Sequence, residues 1–441
     1  MTIDLTKYEA VLEKSYIERI GRVSQVVGLT IESIGPEVKL GHMCLIKANK
    51  HSEPVISEVV GFKNNKILLM PLGDMSGVGP GSIVKASDEP LSIKVSDQIL
   101  GRILNGIGEP IDGKGPLHLA ESFPISNTPP NPLTRNRIKE PLPVGVKAID
   151  GLLTVGKGQR IGIFAGSGVG KSTLLGMIAR NTAADISVIA LIGERGREVR
   201  EFIDKDLGEE GMKRSVLVVA TSDKPALVRL KAAEVATAVA EYFREQGKNV
   251  MLMMDSLTRY AMAQREVGLA VGEPPVSRGY TPSVFAVMPK LLERAGNSEK
   301  GSITGMYTVL VDGDDLTEPV TDTARGILDG HIILARKIAN KNHYPAIDVL
   351  ASISRVMGDV VTPGHKSAAN LVKKSMAVYN DAEDLINIGA YSRGSNQDID
   401  AAIDKHTAIN DFVTQGVNEK FEFAETVSKM FEITGEATGG K

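Results

Sequence analysis

The chain has 441 residues, enough for about three domains at ~150 residues each. Hydrophobic residues make up 42% and charged residues 24%, which excludes a disordered chain. Lys and Arg total 51 against 54 Asp and Glu, a net charge of -3 that gives no global pull toward nucleic acid or anionic lipid.

Aromatics are 4% with no Trp, so stacking platforms for single-stranded nucleic acid are scarce. Cys44 is the only cysteine, which excludes an intramolecular disulfide and a thiolate metal cluster and fits a reducing compartment. The opening MTIDLTKYEAVLEK lacks the apolar stretch of a secretory signal. No run of ~18 apolar residues offers a membrane-spanning helix. The expectation is a soluble, intracellular, multidomain chain.

Residues 4–19 place Leu5, Tyr8, Val11, Leu12, Tyr16 and Ile17 at helical spacing. This arm, 1–20, either packs on its own domain or docks a partner. Over 21–90, the short β-rich runs RVSQVVGLTIES, EVKLGHMCLI, SEVVGFKNNKILLMPL and GSIVKAS are separated by Gly and Asn/Lys turns, which predicts a small antiparallel barrel or sandwich. A Gly- and Pro-rich stretch from 100 reads as an extended connector and domain entry. Apolar strand-like runs follow at 160–165, 187–192, 215–220, 249–255 and 302–311. Helical patterns lie between them, the longest being 225–247, which ends at Gly247. Such alternation predicts an α/β domain over 91–360 with a parallel sheet covered on both faces. The segments KSAANLVKKSMAVYNDAEDLI and NQDIDAAIDKHTAINDFVTQ predict a C-terminal helical domain, 361–441.

The sharpest local signal is AGSGVGKST, 165–173, which follows the strand RIGIF and opens the helix STLLGMIAR. A glycine-rich turn lets successive backbone N–H groups converge on phosphate oxygens, and the helix N-terminus adds partial positive charge. Gly166, Ser167, Gly168, Val169, Gly170, Lys171, Ser172 and Thr173 are therefore the candidate nucleotide-binding residues. Lys171 reaches the β- and γ-phosphates in this pattern, and the Ser172 hydroxyl ligates Mg²⁺. The strict phosphate-loop pattern has Gly at position 165, where this chain has Ala165.

Hydrolysis also needs a second metal ligand, a group acting on water and a transition-state cation. Asp255 ends the apolar strand NVMLMMD and is the candidate Mg²⁺ ligand; its other reading is the N-cap of the helix that follows. Glu194 ends SVIALIGE at the carboxyl edge of the sheet, where open α/β folds bind ligands, and is the candidate water activator. Arg195 and Arg197 beside it are candidate partners of Glu194 or of phosphate. Arg355, in PAIDVLASISRV, is either the transition-state cation or a structural ion-pair partner.

Several long blocks carry a resemblance: PAIDVLASIS (345–354), AGSGVGKS with Ala165, GRILNGIGEPIDGKGPL (101–117), ALIGERGREVREFI (190–203), GYTPSVFAVMPKLLERAG (279–296), YTVLVDGDDLTEPVTD (307–322) and RGILDGHIILAR (325–336). Over essentially its whole length the chain resembles the rotary ATP synthase catalytic-subunit superfamily. Within it the likeness is to the type III secretion export ATPases, the flagellar branch ahead of the virulence-injectisome branch. That resemblance implies a RecA-like phosphate-loop domain flanked by the barrel and the helical domain, with ATP as substrate and Mg²⁺ as cofactor. It further implies that Glu194 activates water, that Arg355 acts on the γ-phosphate of a neighbouring subunit, and that Tyr344 packs on adenine with Phe421 or Phe423 completing the pocket.

The partners it implies are a homohexamer, a stalk protein in the ring centre and a regulatory protein on the N-terminal arm. Export-gate components and substrate–chaperone complexes follow, at the cytoplasmic face of the inner membrane, with no nucleic acid. The implied function is ATP hydrolysis that energises export of flagellar proteins. A rotary-synthase catalytic subunit is opposed by the export-type blocks. An RNA-translocating hexamer is opposed by sparse aromatics (Tyr16, Phe62) and no basic cluster in the N-terminal β region. A dead nucleotide-binding subunit is opposed by the presence of Lys171, Glu194, Asp255 and Arg355. The seven histidines show no metal-ligand spacing.

Overall fold

The computed structural model describes residues 18–49, 52–118, 121–311 and 315–435; the apolar stripe from Leu5 to Ile17 lies outside them. Six strands come first: β1 (Ile20–Val27), β2 (Thr30–Ile34), β3 (His42–Lys47), β4 (Val55–Lys63), β5 (Lys66–Pro71) and β6 (Ile83–Pro90). They close in the order β1-β2-β5-β4-β3-β6, so of the two β architectures open from sequence the barrel is the one formed. Val23, Ile31, Ile46, Val59, Leu69 and Val84 fill the interior, as a small barrel requires. Cys44 is buried among them, and burial pushes its thiol up to about 11, which leaves it unreactive.

A ribbon of β7 (Ser92–Val95) and β9 (Glu121–Pro124) leads out of the barrel, and between them β8 (Ile103–Asn105) joins the main sheet. The Gly- and Pro-rich connector therefore supplies an edge strand, three residues long, too short for any periodicity to announce it. The main sheet is built from β10 (Arg160–Ala165), β11 (Ile186–Ile192), β12 (Ser215–Ala220), β13 (Asn249–Asp255), β15 (Ser302–Leu310), β16 (Gly330–Leu334) and β17 (Ile347–Ser354), with the short β14 (Gly296–Asn297) alongside β15. Its order is β17-β16-β10-β15-β13-β11-β12-β8. All neighbours run parallel except β17 on β16 and β14 on β15.

Residues of β11 alternate between two cores, as a strand's period of two dictates. Ile186, Val188, Ala190 and Ile192 enter one core with α3 (Ala226–Glu245), α4 (Leu257–Val271) and α5 (Pro282–Leu292), once α1 (Lys147–Leu152) and α2 (Lys171–Asn181) are set on the other face. Ile189 and Leu191 enter that second core with α1 and α2. Three C-terminal helices, α6 (Pro363–Asn387), α7 (Gln397–Val413) and α8 (Phe423–Thr434), pack onto it through Ala368, Val372, Ile409, Phe412 and Phe431. Gly151 makes that junction possible: a Cβ there would stand 2.8 Å from the Phe412 ring. On the opposite side, the Lys231 ammonium of α3 lies 2.8 Å from Glu58 of β4 and 3.1 Å from Glu234, a largely buried ionic tie between barrel and sheet domain. The architecture is the α/β type expected: a phosphate-loop domain between a β-barrel and a helical domain. Among the described residues no helix is long and apolar enough to cross a membrane.

Candidate active site

The phosphate loop begins after β10. Ala165 lies inside that strand, paired with Leu310 and Leu334, and is buried; the tight turn starts only at Gly166. A glycine at 165 is therefore not required by the backbone here. The left-handed conformation falls instead on Gly168 (φ 78°) and Gly170 (φ 86°), where a side chain would be strained. Gly170 caps α2 without a side-chain hydrogen bond, so the first-turn N–H groups of Lys171, Ser172 and Thr173 stay free for an anion.

Three charged groups converge beside this loop, from the ends of β10, β13 and β11 at one edge of the sheet. Asp255 is the last residue of β13 and is almost fully buried; Glu194 follows β11 by one glycine. The Lys171 ammonium hydrogen-bonds Asp255 Oδ1 and lies 3.5 Å from Glu194 Oε1. Burial works against the Lys171 charge, yet the two carboxylates raise its pKa above the ordinary lysine value. Glu194 is pushed up to about 7, first by burial and then by the Asp255 charge, with Lys171 offsetting part of the rise. A carboxyl titrating near neutrality at a phosphate loop is poised to exchange protons with water.

Asp255 does not cap the next helix. Ser256 does, its hydroxyl accepting the Arg259 N–H at 3.3 Å. The Asp255 carboxylate is instead held by Thr308 of β15, whose hydroxyl donates to Oδ1 at 2.7 Å. Arg195, beside Glu194, turns away to Glu198 at 3.6 Å. Among the described residues no group of three His, Cys, Asp or Glu side chains is placed to hold a metal. Ser172 and Asp255 offer hard oxygen donors and no soft ligand, which suits Mg²⁺, an ion held by one or two protein oxygens plus phosphate and water.

Two side chains at this centre carry no sequence signal. Thr308 is one. The other is Arg259 of α4, whose stem runs 3.1–3.3 Å from the place a Cβ on Gly193 would occupy. Its Nε is buried with no hydrogen-bond partner among the described residues. A buried guanidinium N–H without an acceptor, next to the Glu194 strand end, is a donor waiting for an anion.

Tyr344 lies on the other flank. Its ring carbons stand 3.5–3.6 Å from where a Gly170 Cβ would be, so the ring borders the phosphate loop while remaining 39% exposed. The two helical-domain aromatics have other partners among the described residues. The Phe421 ring sits under the ammonium groups of Lys147 (4.6 Å) and Lys429 (4.4 Å), and the Phe423 ring meets His365 at 5.7 Å.

Arg355 is not brought to this centre. β17 runs antiparallel to β16, pairing Ser354 with Gly330, so its carboxyl end lies at the amino edge of the sheet. The Arg355 N–H donates to Asp329 O at 3.0 Å, and the Asp329 N–H to Arg160 O at 2.7 Å. Arg160 opens β10, and the loop leaves from that strand's far end, six residues on, roughly 20 Å away at ~3.3 Å per residue. The exposed guanidinium makes one internal hydrogen bond, to Arg325 O at 3.2 Å.

Three family models match the chain. The ATP synthase alpha/beta family nucleotide-binding domain matches 145–354, that family's beta-barrel domain matches 23–88, and the T3SS EscN ATPase C-terminal domain matches 361–432. The flagellum-specific ATP synthase of Bacillus subtilis is 58% identical over 421 residues, covering 95% of this chain and 96% of its own.

The chain belongs to the ATP synthase alpha/beta family. It is an ATPase of the type III secretion branch, with a nucleotide as substrate. The type 3 secretion system ATPase of Xanthomonas euvesicatoria is 50% identical over 419 residues, 95% of each chain. Among solved structures, the assembled ATPase EscN from the type III secretion system of enteropathogenic E. coli superposes with a TM-score of 0.89 at 47% identity, covering 94% of this chain and 99% of that one. EscN in complex with its central stalk EscO gives a TM-score of 0.87 at the same identity.

Proposed function

We propose that this ATPase hydrolyses ATP at the seams of a homohexameric ring and thereby energises export of flagellar proteins. Lys171 and the free amides of the loop and of α2 bind the triphosphate, and Tyr344 stacks on adenine. Ser172 and Asp255 would hold Mg²⁺, which would supply charge neutralisation at the phosphates. The triphosphate competes with Asp255 for the Lys171 ammonium, which releases that carboxylate to act as a ligand. Glu194 orients the attacking water and accepts its proton at a carboxylate oxygen. Arg259 donates to phosphate, and Arg355 of the adjacent subunit meets the charge that develops on the γ-phosphoryl group.

One observation carries this reading: Lys171, Glu194 and Asp255 meet at one edge of the sheet while Arg355 stands at the other. A chain with both parts but with them so far apart is built to work against a copy of itself. The assembled EscN and its complex with the central stalk EscO support the same arrangement here.

Subunit mixing tests it. Arg355→Ala and Lys171→Ala rings are each expected to be inactive. Mixed one to one, about a quarter of seams hold an intact Lys171 facing an intact Arg355, and activity returns in that proportion. Confirmed mixed rings without any recovery would remove Arg355 from this role. The injectisome reading rests on the equally broad matches to type III secretion ATPases that are not flagellar. Restoration of motility in a flagellar strain that lacks its export ATPase separates the two.

A further inference from the structure

The segment after α7 fastens the helical domain to the nucleotide side of the sheet, with Gln415 at its centre. Gln415 is buried to 3% exposure, and its amide uses both kinds of hydrogen-bonding capacity. Oε1 accepts the Lys147 N–H at 2.9 Å, while Nε2 donates to Gly145 O at 2.9 Å and to Glu419 O at 3.0 Å. That side chain therefore locks the turn before α1 to the 415–419 loop.

The backbone of the same residue reaches elsewhere. The Gln415 N–H donates to Tyr344 O at 2.9 Å, and the preceding Thr414 hydroxyl lies 3.4 Å from His343 Nδ1. Farther along the loop, Val417 O accepts from Arg180 at the end of α2, the helix that begins with Lys171. Tyr344 itself sits outside any strand or helix, with its ring against Gly170 and 39% of its surface in solvent. The main chain at 415 thus holds the Tyr344 backbone beside the loop, and the Gln415 amide holds the main chain at 415.

We propose that Gln415 is a positioning residue for base recognition: it holds Tyr344 beside the phosphate loop so that ATP is bound through its adenine as well as its phosphates. The inference rests on Tyr344 being the adenine platform. Lys171 stands at the start of α2, which the network touches only near its far end at Arg180, while Glu194 and Asp255 follow from β11 and β13. The chemistry and the phosphate cradle are therefore spared when the network is cut.

The test uses the full chain at ring-forming concentration and compares two readouts. One is the KM for ATP, which includes the base. The other is the Ki of inorganic tripolyphosphate as a competitive inhibitor, which does not. Gln415→Ala is expected to raise the KM for ATP about tenfold, the size of one lost base stack, with Ki and kcat changing by less than about twofold. Tyr344→Ala is expected to do the same, and the double variant no more than either alone, because both remove one stack. Gln415→Met, which fills the volume without hydrogen bonds, is the second variant should the alanine form fold poorly; the same pattern is expected.

Equal rises in KM and Ki would mean general damage and overturn the proposal, as would fully additive effects of the two substitutions. A tenfold effect of Tyr344→Ala with none from Gln415→Ala or Gln415→Met overturns the role of Gln415 and leaves the adenine platform standing. No effect of Tyr344→Ala overturns both.

Discussion

At the scale of single residues, the Glu194 carboxyl sits at a compromise between stability and chemistry. Its ordinary value is 4.5 and the fold lifts it to about 7, so the folded chain keeps a proton that the unfolded chain has already lost between those limits. Ionising it above pH 7 therefore costs folding free energy, and that ionised form is the one able to act as a base. Glu194→Gln is expected to retain nucleotide binding and lose hydrolysis, and at pH 8 to melt higher. The gain is about 2–4 °C once solvent screening at this partly exposed group is allowed for, and it shrinks as pH falls from 7 and vanishes below 4.5, the ordinary value. Hydrolysis by the unaltered chain should climb through about pH 7. A flat pH–rate profile, together with near-normal turnover in Glu194→Gln, would take the role from this residue.

Lys171, Ser172 and the loop glycines are legible in sequence because phosphate binding is a local property: one turn and one helix start carry it. Asp255 and Glu194 are legible as polar residues ending apolar strands, though strand ends alone leave their roles open. Thr308, Arg259 and Gln415 are not legible. Each matters through what lies across the fold from it, Asp255, Gly193 and Tyr344 respectively, and no spacing along the chain encodes those contacts.

At the scale of elements, the strands read best where burial on both faces makes them continuously apolar. The segments 215–220 and 249–255 form strands with those same limits. Edge strands read worst. β8 is short, and β17 mixes buried and exposed residues because one side of it has no sheet neighbour. The long helix α3 carries a feature that hydrophobic pattern alone would misprice, a charged pair in its buried face. Glu241 accepts both Arg294 Nε at 2.9 Å and Nη2 at 2.7 Å, and also the Asn127 amide at 2.8 Å. The two charges stabilise one another only as a pair, since either alone would be buried without compensation. Glu241→Ala is expected to destabilise the sheet domain by about 3–5 kcal/mol, seen as a lower urea midpoint, while Glu241→Leu with Arg294→Met restores most of it. Equal loss in the single and double variants would show that the cost lies in packing volume and not in the stranded charge.

At the scale of the molecule, the decisive fact is the direction of β17. An antiparallel strand at the sheet margin carries Arg355 to the edge away from its own loop, and the Asp329–Arg160 contacts hold it there. No rotamer change spans the length of β10. In the role proposed for Arg355, a cation is worth about 10³–10⁵ in rate, so a subunit deprived of a neighbour's arginine is expected to keep its nucleotide site and lose most of its turnover. Specific activity should therefore rise steeply with protein concentration and level off once sedimentation shows complete rings. Arg355→Lys should remain as inactive as Arg355→Ala at every concentration while still assembling, because an ammonium does not reproduce the planar fork of a guanidinium. Nucleotide affinity, which the proposal assigns to Lys171 and Tyr344 within one subunit, should change little across the same range. Activity per subunit that is constant from dilute monomer to assembled ring would mean that each chain completes its own site, which the run of β17 forbids to Arg355.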